Sequence, residues 1–247
     1  MSHFQEEMKE RINANKKNLE FQNIAQQFIV ASTPTKYSYN FSWLGRPIIQ
    51  YPQDILAMQE IIWTIKPDLI IETGIAHGGS LIFYASMLEL NAICGGGAED
   101  AQVLGIDIDI RLHNRNALES HPMMKRITML EGSSVAPDII REVKEKAKTK
   151  NNILVCLDSN HTHDHVLAEL NAYAPLTSIG SYCVVFDTII EDLPLNSFPD
   201  RPWDKGNNPK SAVNEYLNNH PEFERSDQID YKLLISVSPG GYLKRIK

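Results

Sequence analysis

The stretch IIETGIAHGGS, residues 70–80, decides how this chain is read. Ile70 and Ile71 belong to an apolar, β-branched run of the kind that forms a buried strand. Gly74, Gly78 and Gly79 follow, and Ser80 opens an apolar run of helical length. A strand that passes through a glycine-rich turn into a helix brings backbone N–H groups close to a ligand. A phosphate loop requires G-x-x-x-x-G-K-[ST], and here the spacing differs and no lysine follows. A dinucleotide fingerprint requires G-x-G-x-x-G, whereas this turn reads G-x-x-x-G-G. Glu72 weighs most. A carboxylate at the strand end repels a pyrophosphate and attracts an ammonium group, directly or through water. The turn therefore suits an amino-acid-like ligand carrying positive charge. S-adenosylmethionine (SAM) has such an amine, plus a sulfonium.

Working outward, strands are expected at 68–72, 102–107, 126–130, 153–158 and 181–187, with helices at 79–91, 112–119, 136–149 and 163–174. Short β-branched runs alternating with longer helical ones indicate βαβ units and a mostly parallel sheet covered on both faces. This is an α/β, Rossmann-like arrangement. Asp107 closes the second strand, where a carboxylate can accept both ribose hydroxyls of a nucleoside; the alternative is that Asp107 and Asp109 cap the next helix. LEGSS, around Ser133, follows the third strand, and its small turn leaves room for an adenine ring. After 187 the rhythm changes to a long loop, 188–208, then a helix near 210–219. Two strands near 231–238 and 241–246, joined by SPGG, read as an antiparallel hairpin at the sheet edge.

Before the sheet, residues 3–30 carry apolar side chains at roughly helical spacing, and 31–53 form an irregular segment rich in aromatics. Asp54 is placed to cap a helix running to Ile65. The expected division is an N-terminal extension over 1–53 and a cofactor-binding domain over 54–247. Among 247 residues, 43% are hydrophobic and 22% charged, enough for a full core, and the net charge is −7 at pH 7. That balance argues against nucleic acid or an anionic membrane as partner. Lys144, Lys146, Lys148 and Lys150 alternate with acids and apolar residues, as on a solvated helix face. Cys94, Cys156 and Cys183 show neither zinc spacing nor a disulfide framework. No run approaches the ~18 apolar residues of a membrane span. A cytoplasmic location is expected.

The densest chemistry lies in LDSNHTHDH, residues 157–165. A zinc hydrolase pattern H-x-H-x-D-H fails by one residue, and the βαβ order is wrong for that fold. Asp158 and Asp187 instead close the fourth and fifth strands, whose carboxyl ends border the ligand crevice of a parallel sheet. Two carboxylates suit Mg²⁺ better than zinc. Such a cation would bind a substrate hydroxyl and lower its pKa, and His161, three residues past Asp158, could take the proton; the plain alternative for His161 is a solvated helix-start position. His163 and His165 read as structural or supporting.

ETGIAHGGS, LGIDIDIR, LDSNHTHDHVLAELNAYAPL and SPGGYLKR, with WLGRPIIQYPQDILAMQEIIWTIKPDLIIETG ahead of them, resemble the cephalosporin hydroxylase family, which includes rhamnosyl O-methyltransferases. The resemblance runs from about Trp43 to Lys244. It implies a SAM-dependent methyltransferase fold. Glu72, Gly74, Gly78 and Ser80 would cradle the methionine part of SAM, Asp107 would hold the ribose, and Ser133 would lie near the adenine. Asp158 and Asp187 would ligate Mg²⁺, and His161 stands where catechol-type O-methyltransferases place a lysine base. In one respect the chain departs from the family. Where members often carry Glu-Asp at the end of the fifth strand, this chain has Phe186-Asp187, so either Thr188, Glu191 or water replaces the missing ligand or the metal binds weakly or not at all.

The expected activity is methyl transfer to a hydroxyl of a small-molecule or sugar-containing acceptor. Its rivals are an accessory protein of a hydroxylation system and an inactive SAM-binding partner. Loop 188–208, with Arg201 and Trp203, is a candidate cover for the site. Tyr37, Tyr39, Phe41 and Trp43 would line an acceptor pocket or an oligomer contact. The resemblance also implies a homo-oligomer.

Overall fold

The computed structural model describes residues 3–247. Five parallel strands carry the fold: β3 (Leu69–Thr73), β4 (Gln102–Asp107), β5 (Ile127–Glu131), β6 (Ile153–Leu157) and β7 (Tyr182–Val185). With β8 (Phe223–Arg225) and β9 (Tyr242–Arg245) they form one sheet in the order β5-β4-β3-β6-β7-β9-β8. β9 runs antiparallel to both β7 and β8. Every residue of β3 and β6 is buried, as expected where helices cover both faces. One face packs on α3 (Pro52–Ile65) and α4 (Gly79–Leu90), the other on α6 (Pro137–Ala147), α7 (His163–Tyr173) and α8 (Pro209–Asn219). No described helix is long and apolar enough to cross a membrane.

The N-terminal segment forms two helices, α1 (His3–Lys17) and α2 (Leu19–Ser32), and then a short hairpin of β1 (Phe41–Trp43) and β2 (Arg46–Ile48). The irregular reading of 31–53 missed this hairpin. Its two-residue turn, Leu44-Gly45, has both φ angles positive, 45° and 86°, the geometry that matches strand twist. The hairpin lies directly on the start of α4: a Cβ on Gly79 would stand 2.1 Å from the Pro47 carbonyl oxygen.

Two local expectations are corrected. The antiparallel C-terminal pair exists, but its members are β8 and β9, and residues 227–233 form a helix, α9 (Asp227–Leu233). Two aspartates in its first turn favour a helix there over the alternation seen in YKLLISVS. Asp54 is no cap. Pro52 opens α3, with Tyr51 preceding it, and Asp54 turns inward with no exposed surface. It accepts hydrogen bonds from the Ser236 hydroxyl (2.6 Å), the Val237 amide (2.9 Å) and the Tyr242 hydroxyl (2.7 Å). One carboxylate thus ties α3 to the segment entering β9.

Asp54→Ala leaves three buried donors without an acceptor and should lower the unfolding free energy by about 3 kcal/mol, read from the urea midpoint. Burial pushes the Asp54 carboxyl up to about 6, opposed by those three hydrogen bonds. An acid raised by folding contributes stability while protonated and loses it as pH climbs from about 4 to about 6. The stability difference between wild type and Asp54→Asn should therefore change across that window; a constant difference would contradict the assignment.

Candidate active site

The carboxyl ends of β3, β4, β6 and β7 converge, and parallel register fixes how closely. Thr73 pairs with Ile106 on one side and with Leu157 on the other. Gly74 leaves β3 with φ 91°, and a Cβ there would stand 2.1 Å from the Asp158 carbonyl oxygen. Any side chain at 74 would push the glycine turn away from Asp158. Gly78, at φ 79°, precedes α4 and lies against Leu118.

Glu72 is 1% exposed and sits beneath α4, where the Ser80 hydroxyl donates to its Oε2 (2.8 Å). Burial raises its carboxyl to about 8, with hydrogen bonds from Ser80 and Tyr84 opposing the rise and the charge of Asp107 adding to it. Within the described residues no cationic side chain pairs with Glu72. A cationic ligand in the adjoining turn would satisfy that acid, so the residues fit the amine-bearing cofactor suggested by the sequence.

Asp107 shapes the turn. Its Oδ2 accepts from the amides of Ile75 (2.8 Å) and Ala76 (3.1 Å), and its Oδ1 from the Asp109 amide (3.1 Å). It does not cap the next helix, α5 (Leu112–Glu119), which Arg111 precedes. Ser133 follows β5 and its carbonyl accepts from Ala136 (2.9 Å). Arg46, from the hairpin, donates to the His77 carbonyl through Nε (3.0 Å) and Nη2 (2.6 Å) and to Asn114 Oδ1 (2.9 Å). The N-terminal segment thus props the turn from above, a role that sequence spacing could not reveal.

Asp158 and Asp187 follow β6 and β7, and His161 joins them. One ligand atom from each lies within 4.8 Å of the others, and His161 Nε2 is 3.1 Å from Asp187 Oδ2. Burial holds the Asp158 carboxyl well above its ordinary range, and the charges of Asp187, Glu72, Glu169 and Asp54 add to the rise. Phe186 is 2% exposed and belongs to the core. The expected substitutes do not reach the cluster: Thr188 is buried and donates to the Pro239 carbonyl, while Glu191 accepts from the Gly206 amide and from Asn208. His161 is the third donor instead.

Trp203 meets the His161 ring edge-on, with centroids 4.7 Å apart at 76°. Loop 188–208 therefore folds onto the site. Tyr39 stands nearby: burial and the charges of Asp187 and Asp158 raise its hydroxyl, and Arg201 lowers it. The aromatic run at 37–43 carried that signal without saying which ring would face the acids. The other two histidines lie beside the cluster. His163 contacts Ser211 (2.8 Å) and Glu215 (3.2 Å) of α8, and His165 contacts Ser134 (3.1 Å) and Ser159 (3.2 Å).

Residues 35–246 match the family model described as Rhamnosyl O-methyltransferase/CmcI. The chain is 29% identical over 207 residues to a rhamnosyl O-methyltransferase of Mycobacterium leprae, covering 83% of this chain and 82% of that one. It is 29% identical over 197 residues to its Mycobacterium tuberculosis H37Rv counterpart, covering 78% and 73%. Among solved structures, a CmcI chain with Mg and SAM superposes with TM-score 0.58 at 19% identity, covering 85% and 78%. An O-methyltransferase from Bacillus cereus in complex with SAH superposes with TM-score 0.53 at 12% identity, covering 90% of each chain.

Gly74→Ala combines a left-handed φ with a collision against Asp158 backbone. It should cost about 3 kcal/mol, measured by thermal or urea unfolding.

Proposed function

The chain belongs to the Rhamnosyl O-methyltransferase/CmcI family and is a SAM-dependent O-methyltransferase; from that premise we propose that it methylates a hydroxyl of a small or sugar-containing acceptor held against Asp158, His161 and Asp187. The observation that carries this reading is the convergence of those three side chains beside the glycine turn, with Asp158 pushed up by burial and by neighbouring acids. Glu72, Gly74, Gly78 and Ser80 would hold the methionine part of SAM, Asp107 the ribose and Ser133 the adenine side. SAM supplies an electrophilic methyl group on its sulfonium. The protein's task is alignment of acceptor oxygen with that methyl, an effect worth up to about 7–11 kcal/mol.

Two facing carboxylates with an imidazole alongside form a donor set that a divalent cation would relieve. Bound there, Mg²⁺ would supply Lewis acidity and lower the pKa of the acceptor hydroxyl. The imidazole makes the set more hospitable to Mn²⁺ than an all-oxygen site would be. Where His161 is not a ligand, its Nε2 turned toward Asp187 leaves Nδ1 as the nitrogen to take the acceptor proton. Asp187 then fixes the imidazole tautomer. Phe186 favours a second version in which His161 acts without metal.

Calorimetry with S-adenosylhomocysteine (SAH), and mass spectrometry of acceptors incubated with SAM, test the reading together. Absence of SAH binding would overturn it. Asp158→Asn and His161→Ala should each lower kcat/KM by about 10²–10⁴ while SAH still binds. Chelation should stop turnover, with Mn²⁺ or Mg²⁺ restoring it; an unchanged rate leaves proton transfer to His161 alone. Because Glu72 sits at about 8, affinity for SAM should rise between about pH 6 and about pH 8 as that acid ionises, and Glu72→Gln should flatten the rise.

A further inference from the structure

We infer that Arg201 is a specificity residue that receives a negatively charged substituent of the methyl acceptor, a carboxylate or a phosphate; this rests on the O-methyl-transfer reading of the adjoining cluster. Three observations meet at this side chain. Its guanidinium carbon lies 5.3 Å from the centroid of the Trp203 ring, and that ring contacts His161 edge-on at 4.7 Å. A single aromatic side chain therefore links the cation to the reacting end of the site. The field of Arg201 also reaches the Tyr39 hydroxyl, which the charges of Asp187 and Asp158 reach from the other direction. Residues from the N-terminal segment, from the turns after β6 and β7, and from loop 188–208 thus lie near one another.

The third observation is what Arg201 lacks. Among the described residues no carboxylate lies within ion-pairing distance of it, whereas Arg115, Arg126 and Lys210 pair with Glu131, Glu89 and Asp192. Three acids of its own stretch of chain are committed elsewhere, and the fourth, Asp200, forms no ion pair with Arg201 although it is adjacent in sequence. Glu191 accepts from Gly206 and Asn208, Asp204 accepts from the amides of Asn196 (3.0 Å) and Lys205 (2.8 Å), and Asp192 holds Lys210. Loop 188–208 is pinned by its carboxylates in a way that leaves the guanidinium exposed and unmatched.

A guanidinium presents donors in a fork that fits carboxylate and phosphate, and stacking on an aromatic face fixes its plane while leaving the rim donors free. The electrostatics also set direction. Asp158 and Asp187 repel an anionic group from the reacting end, and Arg201 attracts it at the other. A ring bearing a hydroxyl and an anionic group would thereby be oriented with the hydroxyl at His161. The separation is no longer than the two ring contacts placed end to end, which one six-membered ring with its substituents spans.

The test uses the full chain saturated with SAH, with no divalent ion added, titrated calorimetrically with matched probes: protocatechuate against catechol, and glucose phosphate against glucose. In the wild type the anionic member of at least one pair should bind about tenfold more tightly. Arg201→Gln should abolish that preference, and Arg201→Lys should retain part of it. The pair that responds distinguishes carboxylate from phosphate. Equal binding within both pairs, or an undiminished preference in Arg201→Gln, overturns the inference and leaves O-methyl transfer standing. Weakening of SAH itself in Arg201→Gln also overturns it, because the cation would then serve the cofactor's carboxylate. Failure of SAH to bind the wild type removes the underlying reading instead.

Discussion

At Gly74 the backbone of one strand end passes so close to the carbonyl of Asp158 that no side chain fits between them. Other features of the site follow from this approach. It sets the glycine turn and the acid cluster side by side, as the proposed transfer from a ligand in the turn to an acceptor at the cluster would require. Asp107 keeps the turn in place by accepting from two of its amides, and Arg46 holds its far end through the His77 carbonyl. The turn is thus clamped from the sheet below and from the N-terminal hairpin above. Preorganisation of this kind suits a reaction whose donor is already activated and whose main demand is alignment.

Charge is distributed with the same economy. Glu72 and Asp54 are buried acids and Asp158 a half-buried one, all held above their ordinary range chiefly by removal from water. Asp54 is matched by three hydrogen-bond donors and serves the fold. Among the described residues Glu72 and Asp158 are not matched by any cation, and they lie where ligands would bind. An uncompensated buried acid destabilises the folded protein, and such groups concentrate at functional sites. A sulfonium- and ammonium-bearing cofactor, together with a divalent ion, would neutralise that excess. An anionic dinucleotide would increase it.

Much of this was legible in the sequence. Continuous β-branched runs such as DLIIE and ILVCL announce buried parallel strands, and the strand ends announce Glu72, Asp107, Asp158 and Asp187. What escaped was decided by contacts between distant segments. Asp54 has the look of a cap, but the donors of Ser236, Val237 and Tyr242, 182 to 188 residues away, draw it inward. The alternation in 231–238 resembles a strand, yet first-turn aspartates and the Asp230 carboxylate, which accepts from Gly240 (3.0 Å), favour a helix and a turn. The second role of Asp107 depends on where the turn amides point, which no spacing rule encodes.

The replacement of an expected carboxylate by Phe186 illustrates the same limit. Sequence shows the missing acid and suggests neighbours to supply it, but Thr188 and Glu191 already hold other partners. His161 reaches the cluster because the loop after β6 turns back toward Asp187, and Trp203 closes on its ring from loop 188–208. The exchange alters the chemistry as well as the ligand count. A carboxylate pair with imidazole carries less negative charge than three carboxylates, so it would hold a hard cation less tightly. On the reading proposed above, the burden of activating the acceptor would shift from the metal toward the histidine, whose Nε2 lies against one Asp187 oxygen.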